Sequence, residues 1–357
     1  MSRRLGGESP GMIPWTTLPS VANDAAPAPP AVQDLPEPIP FTAAGSRWTP
    51  GAACAVGVGN FDGVHLGHAA LAARLVAAAD RLGLPAVALT FDPHPARILR
   101  PERAPEPLTT PARRAELLLA LGVDAVLVQP VDRRLTALSA QDFYRGVLRG
   151  RLAARALVEG PDFRFGAGRA GDVRLLESLC AADGVALEVV APVTAGGSPV
   201  SSSRIRELVA AGHVAAANSL LTAPFRASGT VVAGARRGAA LGFPTANLGG
   251  VATLLPAVGV YAARATLHAV GGSSGHAAAV HVGPNVTFGA TAVTVEAHLV
   301  GFTGDCYGAR LDVDFLDRLR DTRRFDSISD LQAQLTRDVE AAWASARRDR
   351  ADPGATR

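Results

Sequence analysis

Residues 59–68 read GNFDGVHLGH. Two imidazoles, His65 and His68, stand three residues apart, where a short apolar run (55–58) gives way to a helical pattern. That spacing puts both on one side of a first helical turn. A helix N-terminus presents free N–H groups and the positive end of its dipole, so it favours anions. Gly57, Gly59 and Gly63 let the backbone approach such an anion closely. The arrangement suits hydrogen bonding to the phosphates of a nucleotide. The same residues also read as a capped helix with two structural histidines, or as a metal site, although no third ligand lies nearby at a familiar spacing.

A second candidate is residues 234–250, GARRGAALGFPTANLGG, which have neither helical nor strand period. Gly234, Gly238 and Gly242 would turn backbone N–H groups toward phosphate. Thr245 and Asn247 are hard oxygen donors suited to Mg2+ and nucleotide phosphate. The plain alternative is a turn with an Asn cap. Composition narrows the chemistry further. All 35 basic residues are arginine, which excludes a Walker A loop and a protein-kinase site, since both require lysine. Phosphate must then be held by Arg, His, backbone N–H groups or a metal. A net charge of only +3, with no basic run, argues against a nucleic-acid partner. Cys54, Cys180 and Cys306 show neither a disulfide framework nor zinc spacing, which fits a reducing cytoplasmic setting. No apolar run reaches the ~18–20 residues that span a bilayer, so no membrane partner is expected. The N-terminus has no compact apolar signal stretch.

The elements that must position these residues follow from periodicity. A chain of 357 residues predicts two domains. Residues 1–40 hold nine of the 26 prolines and read as a disordered Pro/Ala-rich extension, with order beginning within 41–54. From 55 to about 193, strand-like and helical segments alternate, which predicts a parallel sheet with helices on both faces. The helix over 110–122 opens on a Thr cap and a Pro, and the helix over 139–152 on a Ser cap. Two short helices follow, over 201–212 and 213–221. Strand-like segments then run consecutively at 227–234, 260–270, 277–283, 293–302 and 310–319. That predicts an antiparallel sheet or small barrel, with one helix over about 329–347 at the end. The boundary falls near 220–225.

At this point the motifs become specific. GNFDGVHLGH resembles the opening motif of the bacterial bifunctional riboflavin kinase/FAD synthetases. TFDPHP (90–95), VEGPDFRFG (158–166) and VSSSRIR (200–206) resemble later motifs of that family's adenylyltransferase module, in order. LGFPTAN (241–247), LLPAVGVYAA (254–263), VEAHLVGFTGDCYG (295–308) and LRDTRRF (319–325) resemble its kinase module. The likeness runs from about 50 to 345. It implies a Rossmann-like nucleotidylyltransferase domain with a parallel sheet over 50–222. It also implies a six-stranded antiparallel β-barrel with a terminal helix, the riboflavin kinase domain, over 223–347. Residues 348–357 are left as a disordered tail.

The resemblance implies two ATP-dependent reactions, riboflavin to FMN and FMN to FAD, with Mg2+ at both sites. It puts His65 and His68 on the ATP phosphates, with Ser202 and Arg206 holding the β- and γ-phosphates from the other side. Gly59, Asn60, Phe61, Asp62 and Gly63 form the surrounding pocket, and Asp162 meets the flavin nucleotide or a metal. In the second domain it makes Glu296 the base for the riboflavin 5′-hydroxyl, Thr245 and Asn247 the metal donors, and Arg320 and Phe325 flavin contacts. Departures from the family pattern include Pro161, Ser203, Ala239–Ala240 and GPNVTF (283–288). None removes a matched donor or base. Two alternatives stay open: an adenylyltransferase with a weakened kinase barrel, and a non-catalytic flavin-binding protein.

Overall fold

The computed structural model describes residues 30–234, 237–269, 272–284 and 293–351. They form two compact units. The first comprises the described chain up to Asn60 with Ala69–Ala104 and Leu118–Pro192; the second comprises Phe61–His68, Pro105–Leu117 and the described chain from Val193 onward. The compact units are therefore interleaved in sequence. The Asp62 carboxylate and the backbone of the 61–68 loop bond to residues beyond 105 and beyond 193, as set out below, in keeping with the loop's place in the second unit.

Before Val193 the helices are α1 (Pro30–Gln33), α2 (Leu66–Leu82), α3 (Pro95–Leu99), α4 (Pro111–Ala120), α5 (Arg133–Ala137), α6 (Ala140–Asp142) and α7 (Val173–Asp183). A π-helical run, Phe143–Arg151, continues α6. The strands are β1 (Ile39–Thr42), β2 (Cys54–Val58), β3 (Ala86–Asp92), β4 (Ala125–Pro130), β5 (Ala154–Glu159) and β6 (Ala186–Val189). They form one sheet in the order β1-β4-β3-β2-β5-β6, with only β1 antiparallel to its neighbour. β2 is buried along its length, as its unbroken apolar run requires of a central parallel strand. Strand order reverses between β2 and β5, so the crevice beyond their carboxyl ends is where such a sheet binds ligands.

Residues 30–40, predicted as part of a disordered extension, are ordered. Val32 and Leu35 are buried, the Arg151 guanidinium donates to the carbonyls of Val32, Leu35 and Pro36 at 2.9–3.0 Å, and β1 pairs with β4. Proline content averaged over the segment hid those two apolar anchors. Residues 1–29 of the extension lie outside the described residues.

In the second unit the hairpin β7 (Thr194–Ala195) and β8 (Ser198–Pro199) precedes α8 (Ser202–Ala210) and α9 (Val214–Asn218). Then come β9 (Arg226–Val232), α10 (Arg237–Ala240), β10 (Ala246–Gly249), β11 (Gly259–Ala269), β12 (Gly272–Gly283), β13 (Thr294–Leu299), β14 (Arg310–Arg320) and α11 (Ile328–Ala351). Six strands close a barrel in the order β10-β13-β12-β11-β14-β9. β10 lies in the segment read as aperiodic; its four residues are too few to show a period. α11 continues through 348–351, which were predicted as tail, and Arg264 pairs with Asp349 there. Residues 352–357 and most of GPNVTF lie outside the described residues.

Alternation sorts the barrel side chains. Tyr261, Val280, Val282, Val295, Ala297 and Phe315 are buried in the interior, with the Tyr261 and Phe315 rings edge to face at 5.4 Å. Val260, His281, Glu296 and His298 have the opposite parity and point outward, on the face that α11 packs against. Among the described residues no helix is long and apolar enough to cross a membrane.

Candidate functional site

The loop after β2 is held in an unusual shape. Phe61 (φ +47°) and Val64 (φ +42°) take left-handed backbone conformations that a non-glycine residue, and a β-branched one above all, adopts only at a cost. Their surroundings over-determine them. The Val64 carbonyl accepts from the Thr222 N–H (3.2 Å) and hydroxyl (2.7 Å), and Leu66 N donates to the Leu220 carbonyl (3.0 Å). Gly63 N donates to Thr109 Oγ1 (3.1 Å); at φ +85°, a Cβ on Gly63 would meet Leu108 Cδ1 at 2.9 Å.

This loop delivers the two histidines as a stacked pair, with ring centroids 3.6 Å apart and planes 15° apart. His68 N donates to His65 Nδ1 (3.3 Å) and His65 N to His68 Nδ1 (3.4 Å). Phe61 is buried with its ring edge-on to His68. Burial pushes the His65 imidazole down to about 4, against the opposing pull of the Asp62 charge. Burial, with the charges of His65 and Arg114, pushes His68 well below its usual value. Both rings are neutral at pH 7, so each carries one N–H and can donate one hydrogen bond to an incoming anion.

Asp62, Ser202 and Arg206 meet beside the pair. Ser202 Oγ donates to the Asp62 carbonyl (2.8 Å), and Arg206 Nη2 donates to Asp62 Oδ2 (2.5 Å). The Asp62 carboxylate is buried and also accepts from Leu108 N, Thr109 N and Thr109 Oγ1 at 2.9–3.0 Å. It was predicted as part of the pocket around the ATP phosphates, and in the structure its acceptors take protein donors. Ser201 is the N-cap of α8, accepting from Arg204 N at 3.3 Å.

Gly59, Asn60 and Asp162 belong to the first unit. There they line a cavity of about 500 Å3 at the carboxyl ends of the strands, with His94, Phe163 and Arg169 among its other walls. His94 caps α3, its Nδ1 accepting from Ala96 N at 3.1 Å.

The third constellation sits on the outer face of the barrel. Gly238, Thr245, Glu296, Arg320 and Phe325, scattered over 88 residues of sequence, line one cavity of about 130 Å3 whose far wall is Leu331, Leu335 and Val339 of α11. Cross-strand pairing sets Glu296 between Asn247 of β10 and His281 of β12. Thr294 Oγ1 donates to Glu296 Oε1 (3.2 Å). Burial pushes the His281 imidazole down, with Glu296 pulling the other way. Gly234 and Gly238 allow close approach: a Cβ would collide with the Asn247 amide at the first and the Phe243 carbonyl at the second. Gly242 (φ +86°) turns the chain but does not line the cavity. Arg320 donates to Asp338 of α11 through Nε (3.0 Å) and Nη2 (2.7 Å), and the Arg323 guanidinium lies 4.8 Å from the centre of the Phe325 ring.

Sequence reasoning missed Thr109, Arg114, Thr222, His281 and Asp338. Asp338 had a usable signal. It falls on the apolar stripe of Leu331, Leu335 and Val339, and a charge there must be paired to be buried. Arg114, buried within α4 with Nη2 3.8 Å from Asp62, carries the same signal. Thr109 and Thr222 act through loop contacts that leave no periodic trace.

Residues 49–204 match the FAD synthetase family and residues 221–346 the riboflavin kinase family. The bifunctional riboflavin kinase/FMN adenylyltransferase of Escherichia coli K12 is 36% identical over 80% of this chain and 90% of its own. That of Pseudomonas fluorescens is 38% identical over 82% of this chain and 93% of its own. A solved structure described as a macrolide-efflux protein from Streptococcus pneumoniae is also similar, with TM-score 0.73 and 31% identity. It covers 83% of this chain and 95% of that one.

Proposed function

We propose residue roles for two reactions from one premise: the chain belongs to the family of bifunctional riboflavin kinase/FMN adenylyltransferases. It phosphorylates riboflavin to FMN and adenylylates FMN to FAD. We assign the second step to residues 50–222 and the first to 223–347, and both to the cytoplasm, where ATP is available.

In FAD formation a phosphate oxygen of FMN attacks the α-phosphorus of ATP, and the bond to pyrophosphate breaks. Catalysis of such a transfer is positioning and charge stabilisation, without an enzyme nucleophile. His65 and His68 donate N–H hydrogen bonds to the ATP phosphates. Arg206 brings a fixed positive charge to the departing pyrophosphate, with the Ser202 hydroxyl beside it. Asp162 takes the flavin nucleotide, and Gly59 and Asn60 stay with the ATP pocket. In FMN formation Glu296 removes the proton of the riboflavin 5′-hydroxyl as that oxygen attacks the γ-phosphorus of the other ATP. Phe325 and Arg320 face the flavin.

The donor chemistry fits Mg2+ in the kinase site. Thr245 shares the cavity with Glu296, Asn247 pairs with it, and both offer neutral oxygens of the kind Mg2+ accepts alongside phosphate and water. When bound, the ion neutralises phosphate charge. Among the described residues no group of three or more His, Cys, Asp or Glu side chains gathers to hold a metal; Thr245 and Asn247 would hold the ion together with ATP phosphate and water.

The observation that carries the bifunctional reading is the shared cavity of Thr245, Glu296, Arg320 and Phe325. Purified protein incubated with riboflavin, ATP and Mg2+ is expected to yield FMN and FAD, and with FMN, ATP and Mg2+ to yield FAD. FAD from FMN with no phosphorylation of riboflavin overturns the kinase assignment; no product in either tube overturns both.

A further inference from the structure

We propose that Asp62 is a positioning residue of the adenylyl site, tying the Ser202–Arg206 pair to the histidine loop. Its carboxylate fixes the Arg206 guanidinium and its carbonyl fixes the Ser202 hydroxyl. The inference rests on the reading that Arg206 meets ATP phosphate.

The geometry is specific. Asp62 is only 3% exposed. Its carboxylate is anchored from one side by Leu108 N, Thr109 N and Thr109 Oγ1. From the other it takes Arg206 Nη2, while Arg206 Nε donates to the Glu106 carbonyl (2.8 Å). Two of the three guanidinium nitrogens are thereby committed, and Nη1 has no hydrogen-bond partner among the described residues. It is the nitrogen left to reach a phosphate oxygen. A flexible arginine loses side-chain entropy on meeting a ligand; Asp62 makes that loss part of folding. Asp62 stands three residues before His65 on a backbone pinned by left-handed Phe61 and Val64. Asp62 therefore ties the Ser202–Arg206 pair directly to the loop that carries the imidazoles.

A simpler role for Asp62 would be to hold segment 105–117 in place. The two roles separate in a double-mutant cycle on the full chain, with Asp62→Asn and Arg206→Met singly and together. The readouts are kcat and the KM for ATP in FAD formation, with FMN formation from riboflavin as the control for folding. Asp62→Asn is expected to raise the KM for ATP and lower kcat/KM by about 10- to 100-fold, the range for losing a charged hydrogen bond. The KM for FMN should hold. In the Arg206→Met background the same change should cost less than about 2-fold. Thr109→Val removes one donor from the carboxylate and leaves the ion pair. It should show the same pattern at about 3-fold, and it carries the cycle if Asp62→Asn does not fold. Equal losses in both backgrounds, or parallel losses of FAD and FMN formation, overturn the proposal and leave Asp62 a folding residue. An Arg206→Met variant with unchanged FAD formation overturns the assignment of Arg206, and the inference with it.

Discussion

Two arginines assigned to substrate are each gripped by a buried aspartate, but the grips are built differently. Asp62 holds Arg206 from a loop, and its remaining acceptors take backbone N–H groups and a threonine hydroxyl. Asp338, 4% exposed, holds Arg320 from the middle of α11, and its other donor is the Gln334 amide one turn earlier (2.8 Å). A carboxylate fastened to backbone donors moves only if the loop moves. One fastened to a neighbouring side chain shifts with its helix. The comparison teaches that one arginine is fixed through backbone donors of a loop and the other through side chains of a single helix.

The largest effects test whether the two sites are separate. His68→Ala is expected to slow FAD formation from FMN by about 10^2- to 10^3-fold, as loss of a preorganised donor does, while sparing FMN formation. Glu296→Gln should do the reverse, at about 10^2- to 10^4-fold for loss of a general base. If either variant impairs both steps alike while staying folded, the contrast collapses. Next is the helix grip: Asp338→Asn should raise the KM for riboflavin about 10-fold with little change in the KM for FMN. An unchanged riboflavin KM would mean that Arg320 needs no partner.

Acid and base should strain the two units in opposite directions. Unfolded, His65 takes its proton near 6.5; folded, only near 4. The unfolded state therefore binds more protons between those values, and stability falls as pH drops through that window, by about 3 kcal/mol for this group. A His65→Gln variant should show a flatter decline in Tm on acidification. Glu159 of β5 runs the other way. It is 1% exposed, its Oε1 accepts from Val58 N (2.8 Å), and burial pushes its carboxyl well above the usual 4.5. The folded state holds that proton longer, so stability falls as pH rises above the unfolded value. Glu159→Gln should raise Tm by a few degrees at pH 8 and leave it unchanged at pH 4. A rise of equal size at both pH values would assign the effect to packing.

The legibility of the two regions also differs. Strands β2 to β6 announce themselves because each is a short apolar run between capped helices. The histidine motif is contiguous, so its residues could be singled out from spacing alone. Glu296 could not: alternation on β13 fixes its parity but not what covers the outer face, and that cover comes from residues 319–325 and α11. Family likeness supplied its role. β1 was lost because four residues at a sheet edge carry too little periodicity to offset the prolines around them. Asp62 was read only as part of the pocket because its loop is local in sequence, while the donors that occupy it, at 108–109 and 206, are not.

The wall that α11 gives the kinase cavity has a genetic corollary. A stop codon just ahead of Leu331 would leave every residue assigned to FAD formation encoded, and Glu296, Thr245 and Asn247 as well. It would delete Leu331, Leu335, Asp338 and Val339. Such a late nonsense allele should behave as a separation-of-function mutation: its product still makes FAD when handed FMN, yet a cell relying on it starves for FMN with riboflavin in plentiful supply.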